Sequence, residues 1–196
     1  RVVPNAASAY GATIQVATNA GTQQLTLTGT GAASTDGTSA VVEYYNAGLD
    51  HYFITASAIE IASLDAGAPA GWARTGYAFR TYLGAHPGTS PVCRYYIPPA
   101  QGNSHFFSVL PSECNAIPTL YPAFEFEGAN VMYMYVPDFA SVACPAGSIP
   151  VYRVWNRRPD TNHRYTIDRA LRDRMVALGY AAEGYGPDAV GMCAPP

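Results

Sequence analysis

The sequence predicts a mainly β protein with one short helix per repeat. Three pseudo-symmetric units would form a β-trefoil-like or small closed sheet, preceded by an N-terminal β-hairpin. Two observations support this class. Apolar residues make up 48% of the 196 residues and charged residues only 13%, so the chain can bury a core and disorder is excluded. One pattern of aromatic strand, polar loop, second strand and helix start also recurs three times.

Charge and hydropathy exclude several functional classes. The net charge is -3 and every basic residue is Arg, without a basic stripe long enough to follow phosphates, so nucleic-acid binding is excluded. No run approaches the roughly 20 apolar residues of a membrane-spanning helix. Low charge with many Tyr, Thr and Gly residues indicates an extracellular β protein. The chain begins with Arg rather than Met, which predicts a mature or trimmed fragment.

Residues 1–31 predict a β-hairpin. Apolar and polar residues alternate over residues 13–17 and 25–28, on either side of a glycine turn at 19–21. The stretch GTQQLTLTGTG resembles the last strand of bacterial immunoglobulin-like domains, which implies that the hairpin is the tail of such a domain. An isolated hairpin is marginal in water, so the alternative is donation of these strands to a neighbour's sheet edge. Residues 32–40 are small and polar and predict a linker.

The remainder, residues 41–196, predicts three copies of one unit. The copies occupy residues 41–90, 91–147 and 148–196. A histidine after the polar loop marks each copy: His51, His105 and His163. A helix start follows at Ser57, Pro111 and Asp168, which are favoured capping or first-turn residues. Because about 50 residues cannot bury their own apolar face, we expect the units to pack around a pseudo-threefold axis.

Four cysteines without a CxxC pair predict two disulfides and an oxidising compartment. Three pairings are possible. We favour Cys93–Cys114, which would join the first strand of the second copy to its helix. The other bond would then be Cys144–Cys193, which would lock the end of the third copy to the segment before it.

The repeated pattern R-[FY]-Y-N, H-[FY]-[FY]-T and E-G resembles a tandem repeat of unassigned function. That repeat lies at the C-termini of secreted bacterial peptidases, other hydrolases and cell-surface proteins. The matching residues include Arg94, Arg153, Asn46, Asn156, Glu127-Gly128 and Glu183-Gly184. The first copy departs from the pattern at Glu43 and Thr75. The resemblance implies a secreted accessory module without an established activity.

Paired Arg and Glu residues recur in the second and third copies. Arg94 with Glu127 and Arg153 with Glu183 hold equivalent places, and the first copy lacks both partners. A buried ion pair that loses one partner is costly, so joint retention predicts structural salt bridges between strands. The alternative is two surface pairs that contribute little to stability.

The polar loops after the first strand of each copy predict a binding face. An aromatic ring beside Asn or Arg can stack on a sugar and bond its hydroxyl groups. The candidate ligand-binding residues are Tyr45, Asn46, His51, Trp72, Tyr96, Asn103, His105, Trp155, Asn156, Arg157, Arg158 and His163. The alternative for the aromatic residues is a place in the core. The two loop arginines also suggest a test against anionic polymers.

The three histidines allow three interpretations. Each imidazole can bond a neighbouring backbone group and pack among aromatic rings, and repetition in every copy favours this structural role. A ligand site built three times is the second interpretation, and an open zinc site on the axis is the third. No GxSxG, HExxH or P-loop motif is present. We therefore expect no catalytic residue, no metal and no cofactor.

The sequence thus predicts a non-catalytic, secreted bacterial module for attachment or recognition at a cell surface. It would bind glycan or another surface polymer and be appended to a larger protein, with no nucleic-acid partner and no membrane span. One alternative is a structural protein that self-associates through residues 14–27. A second alternative is a metal-dependent hydrolase.

Overall fold

A computed structural model describes the backbone of residues 8–18 and 21–31, and residues 37–196 in full. The strands are β1 Ser8–Thr18, β2 Gly21–Gly31, β3 Thr38–Asn46, β4 His51–Thr55, β5 Trp72–Tyr82, β6 Thr89–Ile97, β7 Ser104–Ser108, β8 Glu125–Tyr135, β9 Ile149–Trp155, β10 His163–Thr166, β11 Ala181–Glu183 and β12 Val190–Ala194. The helices are α1 Ala58–Asp65, α2 Pro111–Leu120 and α3 Arg169–Ala177. The mainly β prediction is confirmed. No helix in the described residues is long and apolar enough to cross a membrane.

Strands β1 and β2 form the predicted hairpin, antiparallel and in unbroken register from Ser8 opposite Gly31 to Thr18 opposite Gly21. The middle of its turn lies outside the described residues. The same holds for residues 32–36 of the predicted linker. The last residues of that linker are not a linker, because β3 already begins at Thr38. Thr38 is buried and lies opposite Tyr82 of β5.

From β3 onward the order hairpin, helix, strand occurs three times: β3-β4-α1-β5, β6-β7-α2-β8 and β9-β10-α3-β11. The hairpins β3–β4, β6–β7 and β9–β10 are called the first, second and third hairpin below. Strands β3 to β12 belong to one antiparallel sheet in the order β10-β9-β12-β8-β5-β3-β4. Strands β6 and β7 join it through β8, and β11 joins it through β9. The sheet is open, with β10 and β4 at the ends of this order. This corrects the alternative of a small closed sheet.

The sheet is open because the second strands of the hairpins, β4, β7 and β10, are joined by side chains. Within residues 37–196, no ladder of backbone hydrogen bonds connects them. The Asn162 amide donates to the carbonyl of Tyr52 at 2.9 Å and accepts from its N–H at 2.9 Å. The Tyr165 hydroxyl makes the same two contacts with the backbone of Phe107, both at 2.9 Å. Each side chain therefore takes the place that a neighbouring strand would occupy.

The central core draws residues from the hairpins β3–β4, β6–β7 and β9–β10, and its buried members include Val41, Ile54, Val92, Phe107, Met132, Met134, Val151, Tyr165 and Met192. Each helix also buries a small apolar face against the first strand of its own hairpin. Ile61 and Leu64 of α1 pack on Tyr44, and Ile117 of α2 packs in the cluster around Ile97. Burial of each such side chain contributes about 1.5–3 kcal/mol. The helices are therefore fixed by packing, because each has fewer than twelve residues.

The predicted helix starts are confirmed. Ser57 caps α1 by accepting from the Glu60 N–H, and Asp168 caps α3 by accepting from the Leu171 N–H at 3.0 Å. Pro111 is the first residue of α2. These contacts satisfy N–H groups that have no partner within the helix.

Both predicted disulfides are formed. Cys93–Cys114 ties β6 to α2, and Cys144–Cys193 ties the segment before β9 to β12. They close loops with sequence separations of 21 and 49 residues. Each is expected to contribute about 2–4 kcal/mol, chiefly by restricting the unfolded chain.

Ion pairs join α1 and α2 to the first strand of the hairpin that follows each of them. Glu60 of α1 lies 2.8 Å from Arg94 of β6, and Glu113 of α2 lies 2.8 Å from Arg153 of β9. A hydroxyl group five residues before each glutamate donates to the same carboxylate, from Thr55 in one case and Ser108 in the other. The sequence alignment found the arginines but not these partners.

A third pair has the opposite polarity. Glu43 stands on β3 where the other hairpins carry Arg, and Arg164 of β10 reaches it with two hydrogen bonds of 2.8 Å. The side chains are only 2% and 6% exposed. Thr75 also donates to the Glu43 carboxylate at 2.7 Å. The first copy therefore lacks the Arg–Glu pair, and its buried Glu43 is neutralised by Arg164 of the third hairpin.

Replacing Arg164 by Leu is expected to lower the free energy of unfolding by about 3–5 kcal/mol, because it leaves Glu43 buried without a counter-charge. Urea denaturation followed by circular dichroism measures this loss. The matched control is Arg74→Ala, which removes a more exposed pair with Asp65 and should cost less than about 1 kcal/mol. The double variant Glu43→Leu with Arg164→Leu should recover most of the loss. Equal costs for Arg164→Leu and Arg74→Ala would contradict this account.

Candidate functional site

A cleft of about 440 Å³ opens between α2 and the hairpin β9–β10. Four aromatic side chains line it: Phe106, Tyr121, Phe124 and Trp155. Five ionisable side chains line it as well: Glu113, Arg153, Arg158, His163 and Glu183. The cleft thus combines flat apolar surfaces with a charged network.

The helix α2, which forms one wall of the cleft, is anchored to β6. Ile117 of α2 is buried beside the Cys93–Cys114 bond, which attaches the helix to β6. The helix ends at Leu120, and the next residue, Tyr121, stacks on Phe124 with ring centres 4.9 Å apart and an interplanar angle of 17°. Tyr121 is 50% exposed. An aromatic pair therefore faces solvent from a fixed helix end.

Arg153 is the buried centre of the charged network. Its guanidinium donates two hydrogen bonds to Glu113, at 2.8 and 2.9 Å, and its Nε lies 3.3 Å from Oε2 of Glu183. The guanidinium also lies over the Phe106 ring, 5.1 Å from its centre. The predicted contact between Arg153 and Glu183 is confirmed, and Glu113 is a partner that the sequence did not reveal.

The other predicted pair is confirmed too. Nε of Arg94 lies 2.7 Å from Oε2 of Glu127, which also lies 3.3 Å from Nε2 of His105. Arg94 is half-buried, whereas Arg153 is buried. The interpretation of these pairs as buried therefore applies fully to Arg153 and partly to Arg94.

His163 packs into the same network. Its Nε2 lies 3.1 Å from Oε2 of Glu183, and its ring meets Phe106 edge to face. Burial lowers the pKa of His163 below its ordinary value. Burial would raise the pKa of Glu183, but the hydrogen bond from His163 and the charge of Arg153 outweigh it and lower that pKa. At neutral pH His163 is therefore neutral and Glu183 is ionised.

The predicted loops do meet at one end of the sheet. Arg158 donates to Asp50 of the first loop at 2.5 Å and to its carbonyl at 3.3 Å. The carbonyl of Gln101 in the second loop accepts from the N–H of Thr161 at 3.0 Å. Gly102 allows this approach, because a Cβ there would lie 2.5 Å from the Thr161 carbonyl oxygen. The third loop thus lies between the other two.

Most candidate residues in these loops bond to the loops themselves. Asn46 accepts from the N–H groups of Gly48 and Leu49, and Asn156 holds the third loop in a similar way. The Tyr45 hydroxyl donates to Asp50 at 2.8 Å, and the Tyr96 hydroxyl donates to Asn103 at 2.7 Å. These contacts shape the loops rather than present free groups.

The alignment of the three histidines is wrong by one residue. The cross-strand pairings are His51–Asn46, His105–Tyr96 and His163–Trp155. Tyr52, opposite Tyr45, therefore occupies the position of the other two histidines. The error arises because Thr55, at the end of the strand motif, follows His51 by four positions, whereas Ser108 follows His105 by three.

The histidines also do not converge. Each lies near a different carboxylate: His51 near Asp160, His105 near Glu127 and His163 near Glu183. Within residues 37–196 no group of three or more His, Cys, Asp or Glu side chains could hold a metal ion. His51 is 1% exposed and bonds the Asp160 carbonyl at 3.0 Å, as the structural interpretation requires.

Of the candidate ligand-binding residues, three line the cleft: Trp155, Arg158 and His163. Trp72 packs edge to face on Phe53, and Arg157 is exposed on the third loop. Sequence reasoning missed Phe106, Tyr121, Phe124 and Glu113. The two aromatic residues three apart after α2 were the signal that could have revealed part of this wall.

The buried neutral state of His163 makes stability depend on pH. Its pKa is lower in the folded protein than in the unfolded chain, so the unfolded chain binds more protons and folding is favoured at higher pH. We expect the free energy of unfolding to have its full value above about pH 6.5 and to decrease as the solution is acidified. Urea denaturation between about pH 7.5 and 5 measures this slope.

The variant His163→Gln should show a flatter slope over this range. Exchange of the exposed His86 for Gln is the matched control and should leave the slope as in the parent chain. Carboxylates contribute below this range, since their ordinary pKa values lie near 4. A slope unchanged by His163→Gln would contradict the burial of a neutral imidazole.

No curated protein and no solved structure matches the chain. A family model described as "Domain of unknown function (DUF5648)" matches residues 6–135 and again residues 125–191. These two matches cover most of the chain, and the chain therefore belongs to the DUF5648 family.

Proposed function

We propose that this protein is a non-catalytic extracellular recognition module that binds glycan in the cleft between α2 and the hairpin β9–β10. The observation that carries the proposal is the pairing of Trp155 and the Tyr121–Phe124 stack with partly exposed carboxylates in one cleft. The volume of about 440 Å³ is typical of small-ligand sites, which span roughly 300–1,000 Å³.

The aromatic walls suit the apolar face of a sugar ring. The Trp155 indole is fixed by a hydrogen bond from its Nε1 to the Thr161 hydroxyl at 2.6 Å. Because this N–H is already bonded, the ring offers its flat face rather than a donor. Tyr121 and Phe124 add a second aromatic surface from the helix side. Stacking between such surfaces and the C–H groups of a sugar supplies affinity without charge.

The polar part of the cleft suits sugar hydroxyl groups. The Glu113 and Glu183 side chains are 32% and 29% exposed, so each carboxylate retains access to solvent. An ionised carboxylate only accepts hydrogen bonds, which matches a hydroxyl donor. The aromatic surfaces would bind the ring, and the carboxylates would set its orientation.

The cleft is organised before any ligand arrives. The Cys93–Cys114 bond holds α2, and Glu113 ties that helix to Arg153 on β9. A site whose walls are already fixed loses little conformational entropy on binding. Two disulfides also fit an oxidising, extracellular compartment, as does the resemblance to modules of secreted bacterial proteins.

The proposal includes a trefoil-like arrangement of three pseudo-symmetric units. Three hairpin–helix–strand segments follow one another, and their second strands β4, β7 and β10 contact each other. Asn162 supports a common axis, since it bonds Tyr52 of the first hairpin and Ser104 of the second. In this arrangement the cleft is the junction between the second and third units.

Glycan-array screening followed by calorimetry on the purified chain tests this function. Replacing Trp155 by Ala should weaken binding by about thirtyfold, which corresponds to about 2 kcal/mol for loss of a central aromatic contact. The matched control is Tyr96→Ala, at the same position of the second hairpin but outside the cleft. It should bind like the parent chain. If the parent chain bound no glycan on the array, or if Trp155→Ala bound glycan as tightly as the parent chain, the proposal would be contradicted.

A further inference from the structure

Resting on the proposed function, we infer that the sugar bound in this cleft carries a free, protonated amino group. The cleft would therefore select an amino sugar over its N-acetylated or acidic counterparts. The inference depends on which charged groups of the cleft already have partners and which atoms remain open to a ligand.

Both arginines of the cleft are already occupied. Arg153 donates from both Nη atoms to Glu113, and its Nε lies at ion-pair distance, 3.3 Å, from Glu183. Arg158 donates from Nε and Nη2 to Asp160 and from Nη1 to Asp50. An acidic polymer would have to displace these carboxylates. The sequence-based idea that the loop arginines bind anionic polymers therefore loses its support at Arg158.

The charges that line the cleft are balanced, but both arginines already have carboxylate partners. The lining carboxylates are Glu113 of α2 and Glu183 of β11, and the lining guanidinium groups are Arg153 and Arg158. Asp50 and Asp160 contact Arg158 from beside the cleft. An anionic ligand would therefore meet no unpaired guanidinium group in the lining.

One carboxylate oxygen is available to a ligand. The contacts of Glu183 to Arg153 and His163, as far as the described residues show, are both made by Oε2. Oε1 therefore remains as an acceptor on a side chain that lines the cleft. A charge-assisted hydrogen bond from an ammonium group to such an oxygen is stronger than one from a hydroxyl group.

The aromatic walls favour the same group. An ammonium ion near the face of Trp, Tyr or Phe is attracted by the ring electrons, most strongly by Trp. Trp155, Tyr121 and Phe124 line the same cleft as Glu183. An N-acetyl group removes the positive charge, so it would lose both the aromatic attraction and the charge-assisted bond.

Calorimetry with two tetrasaccharides that differ only in acetylation tests the inference. The ligands are β-1,4-linked glucosamine and its fully N-acetylated counterpart, at about pH 6, where the free amino groups are largely protonated. We expect the glucosamine form to bind the parent chain about tenfold more tightly and to weaken as salt is added.

The variant Glu183→Gln should lose most of this preference, because it removes the charge that faces the amine. Glu127→Gln is the matched control. Glu127 makes the same contacts with Arg94 and His105 in the second hairpin, outside the cleft, so its exchange should keep the preference. The comparison of the two ligands on the parent chain stands even if Glu183→Gln does not fold.

The outcomes separate this inference from the proposed function. Equal or tighter binding of the N-acetylated form would overturn the amino-sugar assignment and leave glycan binding intact. Binding of neither tetrasaccharide would overturn the amino-sugar assignment, and the wider array would then decide glycan binding as a whole. Preference for glucosamine that Glu127→Gln loses and Glu183→Gln keeps would also contradict it.

Discussion

Arg153 lies buried between carboxylates from two different parts of the chain, Glu113 at the start of α2 and Glu183 on β11. Taking the Arg153 charge out of water is costly unless it finds carboxylate partners. The network therefore ties the helix of one segment to the strands of the next. It fixes the position of α2 against β9, and the space between those elements is the cleft. Fold and site thus depend on the same interaction.

The other junctions show how far this arrangement varies. Glu60 and Arg94 repeat the contact between α1 and β6, with a smaller cavity of about 200 Å³ beside it. Between the third hairpin and the first, Leu171 of α3 stands five residues after Thr166, where the other helices carry glutamate. Glu43 and Arg164 supply the charges there instead. Similar segments therefore carry a wide cleft at one junction and a narrower one at another.

Sequence reasoning could reach the features that are local or that repeat in register. The hairpins, the helix caps at Ser57 and Asp168, and both disulfides follow from patterns of that kind. The pairs of Arg94 with Glu127 and Arg153 with Glu183 followed from their joint loss in the first copy. Apart from the Cys144–Cys193 bond, which joins the second copy to the third, each of these features lies within one copy of the repeat.

Features that depend on how one segment packs against the next were not accessible. Glu113 was recognised as a helix residue, but its contact with Arg153 appears only when α2 is placed against β9. Tyr121 and Phe124 lie after the helix and outside the repeated pattern, so nothing marked them as a binding surface. The wrong alignment of His51 shows that sequence reasoning can also fail within a copy, because one added residue in a strand moves a side chain to the opposite face.

The proposed chemistry follows from this network. Its arginines are neutralised by protein carboxylates, Glu183 keeps an oxygen for a ligand, and the aromatic walls lie within the same cleft. In such a site the aromatic side chains would stack on the sugar, and Glu183 would contact its charged group. Under the proposed function, the three-residue strand β11, which carries Glu183, would connect the structural network to recognition.

The chain contains two tryptophans, Trp155 in the cleft and Trp72 beside Phe53 outside it. Titration with the glucosamine tetrasaccharide, followed by the two indole N–H signals in a proton–nitrogen correlation spectrum, tests the account most directly. We predict that the Trp155 signal shifts progressively and saturates, while the Trp72 signal stays in place. A shift confined to Trp72 would contradict the assignment of this cleft as the binding site, and no shift of either signal would contradict the amino-sugar assignment.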